Sequence, residues 1–394
     1  MNLKKQLACI YTFDLFSRLR ITDAVWVALL AARGFSLWQI GLAESVYHIV
    51  SLLCEVPSGM AADLLGRRKT LVTGGILAVL SSLLMAFAPS FFLICTAMGL
   101  NALSNTMFSG TDAALTYDSL KQCGKESEYL SVSANRSQIG MLASALGSLA
   151  SMLWRFLRFS GFYLTNAFFN GIFTVAALLL KEPVVTGAQA ARSSRSLREL
   201  PVQFMQLVRD SAAILRGCPL AVKLIAADAI LSISSYLTKM FLQQRLVELG
   251  WPTKWLFLPL LLSGVACAAG TEIARRIHPR SLRRFYAGCA LLCGSGTFLV
   301  GIAPAWCGLS GMILVQALLE IWLLHADQRL NAMIPSDQRA TLISIDGMAY
   351  SMLMIPASPL VGIIGDHFGQ AGAGLAVLGG LILTSGIFLF FSRV

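Results

Sequence analysis

The sequence predicts an all-α integral membrane protein whose twelve transmembrane helices form two pseudo-symmetric six-helix bundles. Three observations predict it. Only 13% of the 394 residues are charged and 56% are hydrophobic, whereas a soluble domain carries about 25% charged residues. A chain so poor in charge cannot cover itself with polar surface, so it faces a lipid bilayer. The apolar residues gather into twelve runs, each near the roughly 20 residues that crossing requires. The basic residues concentrate in alternate connections between those runs, as cytoplasmic loops do. This interleaving builds no single basic face, so the net charge of +11 does not point to nucleic acid.

In chain order the first six spans are expected at 7–32, 37–58, 70–88, 90–117, 129–152 and 160–181. The second six are expected at 219–243, 253–274, 284–303, 307–330, 338–363 and 371–392. The halves are thus 1–181 and 218–394, joined by a basic linker at 182–217. The linker is rich in Ser and Arg and has room for a surface helix near 197–215. The opening stretch MNLKKQLACIYTFDLFSRLR meets Asp14, Arg18 and Arg20 too soon for a signal-peptide core, so it reads as a retained first helix. The nine cysteines form no CxxC pair and sit mostly inside apolar runs. They act there as small hydrophobes, and no disulfide, metal site or cofactor is expected.

Orientation follows from Lys and Arg. Lys4 and Lys5, Arg67 to Lys69, Lys121 and Lys125, the linker arginines, Arg275 to Arg284, and Arg339 share one side. The opposite side holds only Arg33, Arg155, Arg158, Arg245 and Lys254. The richer side is cytoplasmic, which places both termini inside a bacterial inner membrane. Two six-span halves around a long central loop suggest an internal repeat of the kind transporters use.

Residues 59–70, GMAADLLGRRKT, break the apolar pattern after the second span. A weaker copy, GTEIARRIHPRSLRR, follows the second span of the other half and lacks the acid. The stretch resembles the loop signature of the major facilitator superfamily, written G-x-L-a-D-r-x-G-r-k. Gly59, Asp63, Gly66, Arg67 and Arg68 match it. The resemblance covers the whole chain and implies two six-helix bundles rocking about a midplane site. It implies a cytoplasmic gate in which Asp63 accepts from the N-terminus of the eleventh helix, near residues 336–339. Arg67 would bridge Asp63 to Asp118, with Gly59 permitting close helix approach and Gly66 a tight turn. The alternative is that the basic residues only set topology. SGTDAALTYDSL and IPSDQRATLIS resemble stretches in bacterial members grouped with exporters. Two departures weaken ordinary drug–proton antiport: the fourth span has no Arg, and the fifth, RSQIGMLASALGSLAS, has no Pro.

Charges at bilayer depth cost about 2.5–3.5 kcal/mol, so each is a functional candidate beside its structural reading as an internal ion pair. On the first span, Asp14 and Arg18 are spaced to pair on one face, and Arg20 and Asp23 on another. On the second, Glu44, His48 and Glu55 lie within about 40° of one another. His48 suits proton exchange, or Glu44 and His48 simply satisfy each other. Asn101, Asn105 and Asp112 follow the spacing i, i+4, i+11 on the fourth span, and Gln316, Glu320 and Asp327 repeat it on the tenth. The resemblance puts both spans at the central cavity. Glu320 is the first choice for a proton carrier, with His48, Glu44, Asp112 and Asp327 beside it. Asp14, Arg18, Arg20, Asp23, Asn101, Asn105, Arg136, Asp228 and Gln316 are the substrate-cavity candidates.

No GxxxxGK[ST] occurs, so the chain offers no P-loop for ATP. The expected function is secondary active transport by a monomer, proton-coupled, exporting a small amphipathic or drug-like molecule. Uptake of a nutrient is the alternative within transport. A transporter-derived receptor or scaffold is the alternative of another class. An intramembrane enzyme lacks any nucleophile motif.

Overall fold

A computed structural model describes residues 2–184, 218–333 and 339–391, and among them the secondary structure is helical throughout. The surface helix expected in the linker lies outside the described residues. Ten stretches, not twelve, are long and apolar enough to cross a membrane among the described residues. The difference has two causes. The expected first span is broken into α1 (Leu3–Arg18) and α2 (Trp26–Ala32), neither long enough alone. The expected fifth and sixth spans run together as one stretch of 54 residues, Glu126–Leu179. Large apolar side chains such as Phe92, Leu130 and Phe156 are more than three-quarters exposed, as lipid-facing positions require.

Two compact units form, Met1–Asp23 with Val46–Gln206, and Ala24–Ser45 with Leu207–Val394. The first unit comprises α1, the later part of α3 (Leu37–Leu65), α4 (Arg67–Phe87), α5 (Phe91–Phe108), α6 (Thr111–Gln122), α7 (Tyr129–Ser148) and α8 (Trp154–Leu179). Its core joins Ile10, Phe13, Leu71, Leu115 and Phe173. Phe13, Phe108 and Phe173 meet edge to face at 5.3–5.6 Å between centroids, the arrangement that aromatic quadrupoles favour.

Three breaks shape this unit. Between α1 and α2 the backbone turns at residues 19–25. The amides so released find Asn166 on α8: Ile21 N–H donates to its Oδ1 at 3.1 Å, and its Nδ2 donates to Thr22 Oγ1 at 2.8 Å. Between α3 and α4 the connection is the single residue Gly66, at φ +102°. Gly110, at φ +68°, separates α5 from α6. Both angles lie where a Cβ is strained and glycine is not. The motif at 59–70 is therefore mostly helix with a one-residue corner, because α3 runs through Pro57 to Leu65. A helical Pro survives in membrane proteins where neighbours satisfy the freed groups.

The second unit comprises α2, the start of α3, α9 (Pro219–Glu248), α10 (Phe257–Ala274), α11 (Leu282–Ile302), α12 (Ala305–Met333), α13 (Arg339–His367) and α14 (Ala371–Phe391). α11 and α14 cross backbone to backbone. A Cβ on Gly294, Gly301 or Gly379 would collide with main-chain atoms of the facing helix, the small-residue packing that membrane helices use. Residues 24–45 join this unit through equally close contacts. Gly41 meets Ser358, and Gly362 meets Leu37. Asp366 closes that crossing by accepting from Leu37 N–H at 2.9 Å and Trp38 N–H at 2.8 Å.

Candidate functional site

The first unit carries an open cavity of about 430 Å³ lined by polar and charged groups of α1, α5, α6 and α7. Its organising residue is Arg136 on α7. Nε donates to Asp14 Oδ2 at 2.6 Å, and Nη2 donates to Asp14 Oδ1 at 2.9 Å and to Asp112 Oδ2 at 2.5 Å. Asp14 is buried. One guanidinium fork thus holds two carboxylates, the bidentate geometry Arg is suited to. In the first turn of α6, Asp112 Oδ1 also accepts from Ala113 N–H at 2.7 Å.

These contacts correct the pairing expected on the first span. Asp14 does not pair with Arg18, because Arg136 occupies both of its oxygens. Arg20 does not pair with Asp23: its Nη2 donates to Asn105 Oδ1 at 2.6 Å and its Nε to the Ser17 carbonyl at 3.4 Å. The break after Arg18 swings Arg20 away from the helical spacing that would bring it to Asp23. Asn105 is steadied by Asn101, whose Oδ1 accepts from its Nδ2 at 3.1 Å. Asn105 and Asp112 share the cavity, but across the corner at Gly110 rather than along one helix. Glu55 sits apart, accepting from Ser109 at 2.7 Å. His48 is buried in this unit, edge-on to Tyr47.

At the loop motif, Arg67 forms an ion pair with Asp118 and donates to the Ala114 carbonyl at 2.6 Å, tying α4 to α6. The side chain of Asp63 and residues 334–338 lie outside the described residues, so the expected latch is without a described geometry. Gly59 has nothing within 4 Å of the place of a Cβ among the described residues. A residue missed in the sequence, Glu182, caps α4 by accepting from Arg67 N–H at 2.9 Å and Arg68 N–H at 2.7 Å. The signal was there: an acid just after a span, within reach of a helix N-terminus, complements its dipole.

In the second unit the stripe on α12 faces the groove between α9 and α10, so its members find different partners. Gln316 is buried and exchanges two hydrogen bonds with Ser235, at 2.9 and 3.2 Å. Glu320 accepts from Thr271 at 3.2 Å. Asp327 lies near the pair formed by Asp228 on α9 and Asp346 on α13. Asp228 is 7% exposed and lies close enough to Asp346 for the two carboxylates to repel, with the Trp322 indole beside it. The Oδ1 atoms of both acids are buried without a partner among the described residues. Asp346 was missed in the sequence, although an acid inside an apolar span is signal enough. Glu44 is buried and accepts from Tyr236 on α9 at 2.6 Å. Tyr236 gave no signal, because a tyrosine in a membrane helix is ordinary.

Comparison with known proteins agrees with this architecture. The family model described as Major Facilitator Superfamily matches residues 8–345. An uncharacterized MFS-type transporter of Bacillus subtilis (strain 168), YxaM, is 22% identical over 366 residues, covering 91% of this chain and 89% of that protein. Among solved structures, the nucleoside transporter NupG superposes with a TM-score of 0.76 at 14% identity, covering 100% of this chain and 100% of that one. A D-xylose-proton symporter gives 0.67 at 15% identity, covering 99% and 97%. At such identities these structures share the fold. The family match spans most of the chain, and with the multi-pass helical architecture it leads to one conclusion: this protein is a member of the Major Facilitator Superfamily of membrane transporters.

Proposed function

We propose that this chain is a proton-coupled secondary transporter that moves a small polar molecule across the bacterial inner membrane by alternating access. Export is the preferred direction, and both termini are cytoplasmic. The observation that carries proton coupling is the Asp228–Asp346 pair, two neighbouring carboxyl groups inside membrane-spanning helices, an arrangement suited to holding one proton between them. This moves the proton carrier from Glu320, which already has a hydroxyl partner in Thr271, to the α9–α13 pair. The cavity wall of the first unit carries Asp14, Arg18, Arg20, Asp23 and Asp112. A wall so charged favours a water-soluble substrate over a drug-like amphipath. Together with the missing drug–proton signatures of the fourth and fifth spans, that lining supports uptake as the second reading.

The test is reconstitution of the purified protein into liposomes containing a pH-sensitive dye. Amino acids, sugars, nucleosides, organic acids and hydrophobic dyes are added in turn under either gradient direction. At least one polar class is expected to move protons with it. If no class crosses and no proton moves, the transport reading fails.

A further inference from the structure

We propose that Arg18 is the binding group for a single carboxylate on the transported molecule, within the cavity of the first unit. The inference rests on the transporter reading and adds a substrate class to it. Four observations converge on Arg18. Its helical neighbour Asp14, four residues earlier, has both oxygens taken by Arg136. Arg18 itself lines the cavity; its carbonyl accepts from Ser144 Oγ at 3.4 Å, while its guanidinium makes no hydrogen bond or close ion pair among the described residues and feels Asp14 only through space. Arg20, the other cation of the wall, is occupied by Asn105 and the Ser17 carbonyl. Gly140 on α7 lies under the Arg18 stem, where a Cβ would come to 3.5 Å from Cγ and 3.7 Å from Nε.

The result is an Arg18 stem laid over the bare backbone of Gly140, at the wall of a cavity of about 430 Å³. That volume falls in the range of small-molecule sites, about 300–1,000 Å³. A charge on a membrane helix is costly without a counter-charge, and here the nearest one is engaged elsewhere. The planar fork of Arg matches a carboxylate through two parallel hydrogen bonds.

The charge balance selects the number of carboxylates. Asp14, Asp23 and Asp112 offset Arg18, Arg20 and Arg136, so the group is neutral overall. A monocarboxylate adds one negative charge to this neutral group, set against the unoccupied fork of Arg18, whereas a phosphate dianion adds two. A structural role for Arg18 also exists, since a cation suits the last turn of α1. That role affects stability and not ligand selectivity.

The test is thermal unfolding of the purified full-length protein in nanodiscs with benzoate, nicotinate and hexanoate, each against its neutral amide, and with inorganic phosphate. At least one carboxylate is expected to raise the melting temperature while its amide does not. Arg18→Gln is expected to weaken that carboxylate about tenfold or more, the loss of a charge-assisted hydrogen bond, and Arg18→Lys to retain part of the effect. Gly140→Leu, which crowds the stem without removing charge, is expected to weaken it as well, and serves if Arg18→Gln does not fold. The proposal is overturned if no carboxylate shifts the wild type, if the amides act equally, if Arg18→Gln keeps the shift, or if phosphate outperforms every carboxylate. Carboxylate binding without any transport would defeat the transporter reading and leave this one standing. Transport that is untouched in Arg18→Gln would do the reverse.

Discussion

Arg136 carries more of the first unit than any other single side chain. It neutralises Asp14 and Asp112 together, on helices 122 and 24 residues away in sequence. Removing one partner of a buried ion pair leaves an uncompensated charge and costs about 3–5 kcal/mol. Arg136→Ala is therefore expected to lower the melting temperature sharply, and Arg136→Lys to recover only part of it, because an ammonium cannot reproduce the fork. Thermal unfolding in detergent, followed by intrinsic fluorescence, checks both. At this scale the sequence showed which residues matter and only some of whom they meet: Arg67 was expected against Asp118 and pairs with it. A charge inside an apolar run is visible, so Asp14, Arg18, Arg20, Asp112 and Arg136 could all be singled out. Helical spacing ranks only neighbours on one helix, so it paired Asp14 with Arg18, whereas tertiary packing supplied Arg136.

Elements are fixed in this protein by carboxylates placed at helix starts. Glu182 caps α4, Asp366 caps α3, and Glu248 accepts from Ala371 N–H at the start of α14 at 3.0 and 3.1 Å. Each satisfies amides that have no partner within their own helix and opposes the positive end of the dipole. Glu182→Ala is expected to cost about 1 kcal/mol, the usual worth of a cap. A modest fall in melting temperature with unchanged membrane insertion would show it, and no fall would show that α4 holds its first turn unaided. Helix existence was legible because apolar runs of spanning length are a strong signal. Breaks were less so. Gly66 was recognisable as a turn within a known motif, whereas Gly110 and the interruption at 19–25 depend on partners such as Asn166 that no local pattern names.

For the whole molecule, the membrane class and the superfamily were readable from charge deficit, run length and one loop motif. The working chemistry was readable only in part. The first unit gathers a charged cavity around Arg136 and leaves Arg18 open to it. The second places two neighbouring carboxyl groups, Asp228 on α9 and Asp346 on α13. A transporter that couples substrate movement to protons through this pair should lose coupling without losing passage when one acid is made an amide. The direct measurement uses proteoliposomes and a substrate that the wild type accumulates under an imposed pH gradient. Asp228→Asn and Asp346→Asn are each expected to keep substrate exchange at equal pH and to lose gradient-driven accumulation. Accumulation at the wild-type level in both variants would contradict the account.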